Sequence, residues 1–277
     1  MRDPMDMSDP MCDPMDMSDP MCDPMKTNDR MSGRMDMSDP MEMNDRMSDR
    51  MDMSDRTGDP MDMDPAGEAE RFWEKHYAGR DRVWNGNPNP LLAETARTLR
   101  AGTALDLGSG EGGDAVHLAA QGWQVTAVDV SATALARARA HARAAGVADR
   151  VTTQQHDLAR TFPHGAFDLI SAQYLHSPLD LPREHVLRQA ARALAPGGLL
   201  LIVDHGSVRP WAWDPDPHTH FPTPQDIYGG LHLDPARYRP ERLDTPRREA
   251  VGPNGETATV TDTVVAVRRV PHPSGGA

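Results

Sequence analysis

Residues 104–131, ALDLGSGEGGDAVHLAAQGWQVTAVDVS, hold a glycine-rich turn between two apolar runs, with acids at fixed places around it. Gly108, Gly110 and Gly113 satisfy G-x-G-x-x-G, and Asp129 stands about twenty residues past the turn, an arrangement that opens a nucleoside-binding crevice. Two more acids close other apolar runs: Asp106 lies two residues before Gly108, and Asp157 ends VTTQQHD. A nucleotide phosphate settles over such glycines, where a carboxylate at Asp106 repels it. A ligand with no phosphate and a positive charge reverses that sign, since opposite charges attract strongly at short range. Asp157 can accept from the exocyclic amine of an adenine at the carboxyl ends of the strands, where open α/β sheets bind ligands.

The elements that must carry these groups can be read along the chain. Helices are expected at 68–79, 91–100, 111–122, 132–146 and 182–195, the fourth capped by Ser131. Strands are expected at 103–107, 124–130, 151–157, 167–172 and 199–206, the last so apolar that it reads as a central strand buried on both faces. Their alternation implies α/β architecture with a doubly wound, mostly parallel sheet. Residues 245–251 and 257–270 read as strands separated by too short a link for a parallel crossover, so the sheet should end in an antiparallel hairpin. Thr223-Pro224 has the form of a helix start.

Composition divides the chain sharply. All 18 Met and both Cys, Cys12 and Cys22, fall within residues 1–63, which carry 17 acids against 7 bases. This part repeats every ten residues and contains no Val, Ile, Leu, Phe, Tyr or Trp, so disorder is expected there, with the folded domain at 64–277. Its thioethers also offer ligands for a soft cation such as Cu(I). The mild acidity of residues 64–277 opposes a nucleic-acid partner. No run is long enough to span a membrane, and no signal peptide is recognisable, so a cytoplasmic protein is expected.

Five segments in order, LDLGSGEG, VDVS, HD, FDLISA and LAPGGLLLI, resemble the motifs of class I S-adenosylmethionine-dependent methyltransferases. The FWEKHYAGRDRVWNGNPNP segment before them is similar to small-molecule methyltransferases of the bacterial tellurite-resistance and thiopurine type. The resemblance implies a seven-stranded Rossmann-like sheet with the last strand antiparallel, S-adenosylmethionine as cofactor, and a small-molecule acceptor. It also implies roles: Gly108, Gly110 and Gly112 let the backbone approach the ligand, Asp106 helps hold the methionine amine, and Asp129 accepts from the ribose hydroxyls beside Val130. Asp157 and Leu158 then frame the adenine, and Gln173 or Tyr174 faces the methyl-sulfonium end. The alternatives are a nicotinamide-dependent oxidoreductase, or a non-catalytic cofactor fold whose Met-rich tail binds metal.

Catalytic residues are harder to read, because methyl transfer relies chiefly on alignment. His176 and Tyr174, just past the fourth strand, are the first candidates for acid–base or orienting roles, and His205 follows. His218 and His220 with Asp214 and Asp216 lack a clear third ligand, so no metal site is expected. Trp211, Trp213 and Phe221 suggest the apolar face of a substrate lid, and Trp84 and Asn89 a pocket wall or packed cover.

Overall fold

A computed structural model describes residues 67–83, 86–208, 210, 220–251 and 255–271. The expected disorder of residues 1–63 and the placement of Trp84, Trp211, Trp213, Asp214, Asp216 and His218 lie outside the described residues. Two helices come first, α1 (Glu68–Ala78) and α2 (Pro90–Ala96). Strands and helices then alternate: β1 (Thr103–Leu107), α3 (Gly113–Ala120), β2 (Gln124–Asp129), α4 (Ala132–Ala144), β3 (Val151–Gln155) and β4 (Phe167–Gln173). After α5 (Arg183–Arg192) and β5 (Leu194–His205) follow α6 (Pro224–Gly230), β6 (Tyr238–Asp244), β7 (Arg247–Val251) and β8 (Thr257–Arg269).

The sheet order is β3-β2-β1-β4-β5-β8-β6, with β7 paired to β8 off this path. Strands β1 to β5 are mutually parallel, and β8 runs antiparallel to β5, β6 and β7. Side chains alternate faces along a strand. Leu105, Leu107, Leu200 and Ile202 therefore fill one layer beneath α5 and α6, and Ala104, Leu199, Leu201 and Val203 the other beneath α2, α3 and α4. Strand order reverses between β1 and β4, and that reversal opens a crevice at the carboxyl ends where a ligand can sit.

Several boundaries differ from the sequence reading, the third strand ending at Gln155 and the helix expected at 182–195 at Arg192 among them. The fifth strand begins at Leu194 rather than 199, because Leu194 pairs with Phe167 and the Pro196-Gly197-Gly198 stretch is absorbed as an irregularity between Phe167 and Leu169. A Cβ on Gly198 would meet the Phe167 carbonyl oxygen at 2.6 Å, so only glycine permits that approach. The helix expected at 91–100 stops at Ala96, and the one expected at 111–122 spans Gly113–Ala120. An eighth strand, β6, was not anticipated: YRPERLD is mostly exposed, contains Pro240 and pairs on one side only, as an edge strand can. The start at Thr223-Pro224 and the terminal hairpin are present, the former as a reciprocal cap between Thr223 and Asp226.

Candidate active site

The carboxyl ends of β1, β2 and β4 open into a cavity of about 540 Å³. Most of its wall comes from turns that follow strands, because a strand end is where the chain can present backbone N–H groups and short side chains together. Gly108, Gly110, Asp129, Val130, Asp157 and Leu158 line one end. Gln173, Tyr174, His176 and His205 line the other. Asp106 and Gly112 are not wall residues.

Asp106 lies under the floor, 2% exposed, and its Oδ2 has no hydrogen-bond partner among the described residues. Burial pushes its carboxyl well above the usual carboxylate range, and the charges of Asp114 and Asp129 push it further. Asp114, in the first turn of α3, accepts from the Asn89 N–H at 2.6 Å. Burial raises its carboxyl to about 6 despite that bond. Asp129 accepts from Gly110 N–H at 2.9 Å and from Ser131 N–H at 2.9 Å, yet burial still lifts it. Three carboxylates crowded this way are costly when all are ionised, and a cation would relieve them. A pyrophosphate would add to the repulsion.

Glycine geometry separates two roles. Gly108 has φ of 67°, and a Cβ there would meet Leu175 Cδ1 at 2.8 Å, so a side chain would narrow the crevice. Gly112 has φ of 84°, but its missing Cβ faces Ala138 Cβ at 2.7 Å on α4. That position brings α3 and α4 together rather than facing the cavity.

At the far end the chain leaves β4 through a tight turn. Tyr174 has φ of 48°, uncommon for a residue with a side chain. It donates its N–H to the Val203 carbonyl at 2.7 Å, and His176 donates to the Tyr174 carbonyl at 2.8 Å. The Tyr174 hydroxyl donates to Asp262 Oδ1 at 2.9 Å, and its ring stacks on His205 with centroids 4.2 Å apart. Gln173 donates to Ser171 Oγ at 2.9 Å, while its Oε1 is buried without a partner among the described residues. Asp157 accepts from the Ala159 N–H at 3.0 Å.

Helix α1 covers the first end, contributing Trp73 and Tyr77 to the wall. Glu74 fastens it across the start of α4, accepting from Ser131 Oγ at 2.7 Å, from the Thr133 N–H at 3.1 Å and from Thr133 Oγ1. Glu111, 2% exposed, accepts from Arg137 at 2.7 Å and from the Val83 N–H, anchoring the segment between α1 and α2. Asn89 is buried, caps α2 through Leu91 and joins the wall.

Residues 104–198, which include the glycine turn and all three crowded carboxylates, match the family described as a methyltransferase domain. Over these residues the chain is similar to methyltransferases. A 110-residue stretch is 41% identical to 27-O-demethylrifamycin SV methyltransferase of Amycolatopsis mediterranei (strain S699), covering 38% of this chain and 40% of that protein. A 106-residue stretch is 37% identical to aclacinomycin 10-hydroxylase RdmB of Streptomyces purpurascens, covering 38% of this chain and 28% of that one. The chain thus spans less than half the length of either relative. A structure solved in work on the conversion of a disulfide bond into a thioacetal group during echinomycin biosynthesis is 25% identical, with a TM-score of 0.58, covering 73% of this chain and 93% of that one.

Around the glycine turn, Asp114 and Glu111 were missed by sequence reasoning, as was the fastening of α1 by Glu74. Asp114 looks like an ordinary first-turn helix acid, favourable near the positive helix end. Its sequence signal was its position just past the glycine turn. Of the remaining sequence candidates, His220 is exposed and Phe221 half-buried, and neither lines the cavity.

Proposed function

We propose that this chain transfers the methyl group of S-adenosylmethionine to a small-molecule acceptor. The observation that carries the reading is the trio of buried Asp106, buried Asp129 and half-buried Asp114 beside a glycine turn, with one carboxylate oxygen of Asp106 left unpartnered among the described residues. That set fits a cationic, phosphate-free nucleoside and opposes a dinucleotide. When bound, the cofactor supplies an electrophilic methyl carbon; the protein's own residues hold and align. Asp106 and Asp114 balance the ammonium group, and Asp129 accepts from the ribose hydroxyls. Asp157 and Leu158 border the adenine, and Gly108 and Gly110 keep the crevice open.

Gln173, Tyr174, His176 and His205 form the acceptor end, with α1 excluding water from the other. Alignment and water exclusion supply much of the acceleration in such a reaction. Residues 64–277 suffice for this activity, and residues 1–63 stand outside it. Labelled-methyl transfer to a panel of thiols, amines, phenols and chalcogen oxyanions tests the reading. Transfer to at least one member is expected; binding of a nicotinamide dinucleotide in place of S-adenosylhomocysteine would overturn it.

A further inference from the structure

The terminal hairpin reaches the acceptor end without joining its wall. Residues Thr257–Thr261 of β8 pair with β7, and pairing with β5 starts only where Asp262 meets His205, the last residue of β5. Because β8 is antiparallel to β5, the β7–β8 arm runs on past the carboxyl end of the sheet, where the crevice opens. Residues directly opposite in a ladder share a face, and so do side chains two apart along a strand. Asp262 therefore lies beside His205. Arg248, opposite Val260, reaches Asp262 across the diagonal.

The contacts follow from that register. Asp262 is 1% exposed. Arg248 Nε donates to its Oδ2 at 2.7 Å, and the Tyr174 hydroxyl donates to its Oδ1 at 2.9 Å. Burial pulls the Arg248 guanidinium down, but Tyr174 and Asp262 outweigh it and hold it above its ordinary value. Neither Arg248 nor Asp262 lines the cavity. Tyr174 and His205 do, ring on ring at 4.2 Å with 23° between their planes. Tyr174 is thus tied at two points, by its N–H to the Val203 carbonyl at 2.7 Å and by its hydroxyl. Its φ of 48° is costly for a residue with a side chain and persists only where the surroundings hold it. A ring fixed at both ends has little rotamer freedom left to lose when a ligand packs on it, so less of that contact is offset by ordering.

We propose that Arg248 and Asp262 are positioning residues for the methyl acceptor: they fix the Tyr174–His205 ring pair as a wall that selects acceptors with a flat, unsaturated face. The inference deepens the methyl-transfer reading above and rests on it. A fixed aromatic ring attracts a flat π-face through contact area and through offset or edge-on geometry, whereas a puckered ring meets it at a few hydrogens. The preference concerns the acceptor's body and not its reacting atom, so it applies alike to sulfur, nitrogen and oxygen nucleophiles. An acceptor held against the ring also has fewer poses away from the methyl group, which is the alignment the reaction needs.

The full chain is assayed with labelled S-adenosylmethionine against matched pairs: benzenethiol and cyclohexanethiol, aniline and cyclohexylamine, phenol and cyclohexanol. The ratio of kcat/KM within a pair, compared between wild type and variant, cancels the intrinsic reactivity of the two compounds. Wild type prefers the flat member. Asp262→Asn and Arg248→Met lower that preference about threefold to tenfold, the range for one aromatic contact, mainly through the KM of the flat member. Arg248→Lys, which keeps the charge, retains part of it. S-adenosylhomocysteine affinity stays within about twofold of wild type, which a general loosening of the fold would not allow. A readout without turnover comes from fluorine resonances of the chain labelled with 3-fluorotyrosine. The chain has four tyrosines, and the resonance lost in Tyr174→Phe belongs to Tyr174. In Asp262→Asn and Arg248→Met that resonance moves, while that of Tyr77, at the other end of the cavity, stays. Should either single variant fail to fold, the double variant Arg248→Met/Asp262→Asn, which leaves no buried charge behind, supplies the same comparison. Tyr174→Phe, which deletes only the hydroxyl, supplies it again. A preference unchanged in these variants overturns the inference, as does an unmoved Tyr174 resonance. So does transfer confined to chalcogen oxyanions, or to none of these compounds while S-adenosylhomocysteine still binds. A wild-type chain that fails to bind S-adenosylhomocysteine by calorimetry instead overturns the methyl-transfer reading beneath it.

Discussion

Acidification should loosen the cofactor site while steadying the empty protein, because one carboxyl drives both effects with opposite signs. Asp114 titrates at about 6 in the ligand-free site, raised by burial. A bound ammonium group favours the carboxylate and lowers that value again, so affinity is full well above pH 6 and falls as pH drops through it. Ionisation is nearly complete at pH 7.5 and only about a tenth at pH 5. S-adenosylhomocysteine should therefore bind about tenfold more weakly at pH 5, about 1.4 kcal/mol. The raised Asp106 carboxyl, coupled through charge to Asp114, steepens the curve further. Folding responds the other way. A carboxyl raised above its unfolded value of 3.8 contributes stability that is fully present below 3.8 and is lost as pH rises through about 6. Isothermal titration from pH 5 to 7.5 measures the first effect, and melting curves of wild type against Asp114→Asn isolate the second. The variant should bind more weakly at pH 7.5 and lose much of the slope. An affinity that is flat with pH, or a slope unchanged in Asp114→Asn, would refute the reasoning.

Three further outcomes follow from the geometry. Asp129→Ala removes a carboxylate from the site and should weaken S-adenosylhomocysteine binding by about 1–3 kcal/mol in calorimetry. Glu74→Ala unfastens α1 from the start of α4, so hydrogen exchange across residues 68–78 should quicken and ligand dissociation accelerate about fivefold, near 1 kcal/mol. Gly112→Ala meets Ala138 at 2.7 Å with φ of 84° and should lower stability by about 1–3 kcal/mol in denaturant melts. Its effect on ligand affinity should be smaller than that of Gly108→Ala, whose Cβ points at Leu175 beside the cavity.

The buried parts of the fold were legible because burial writes itself into composition. TALDL, QVTAVD and LLLIV could be read as strands since both faces of the sheet are covered and their apolar runs are nearly unbroken. The same logic hid β6, whose side chains mostly face solvent and whose one partner, β8, lies well downstream in sequence. Asp106, Asp129 and Asp157 were readable because each stands at or just past the end of a strand recognisable by itself, Asp157 two residues beyond β3. Asp114 was not, since its meaning depends on Asn89 and Asp106 reaching it from other elements. The Tyr174–Asp262–Arg248 chain joins residues from three segments that only the pairing of β8 with β5 and β7 brings together. Gly112 shows a different limit: its spacing matched a ligand-contacting glycine, whereas its neighbour is a helix.

The most direct measurement is a crystal structure of the complex with S-adenosylhomocysteine. The account predicts an ammonium group within hydrogen-bonding distance of the Asp114 carboxylate, with buried Asp106 beneath it, and ribose hydroxyls on Asp129. Ligand density elsewhere, or those three side chains turned away from it, would contradict it.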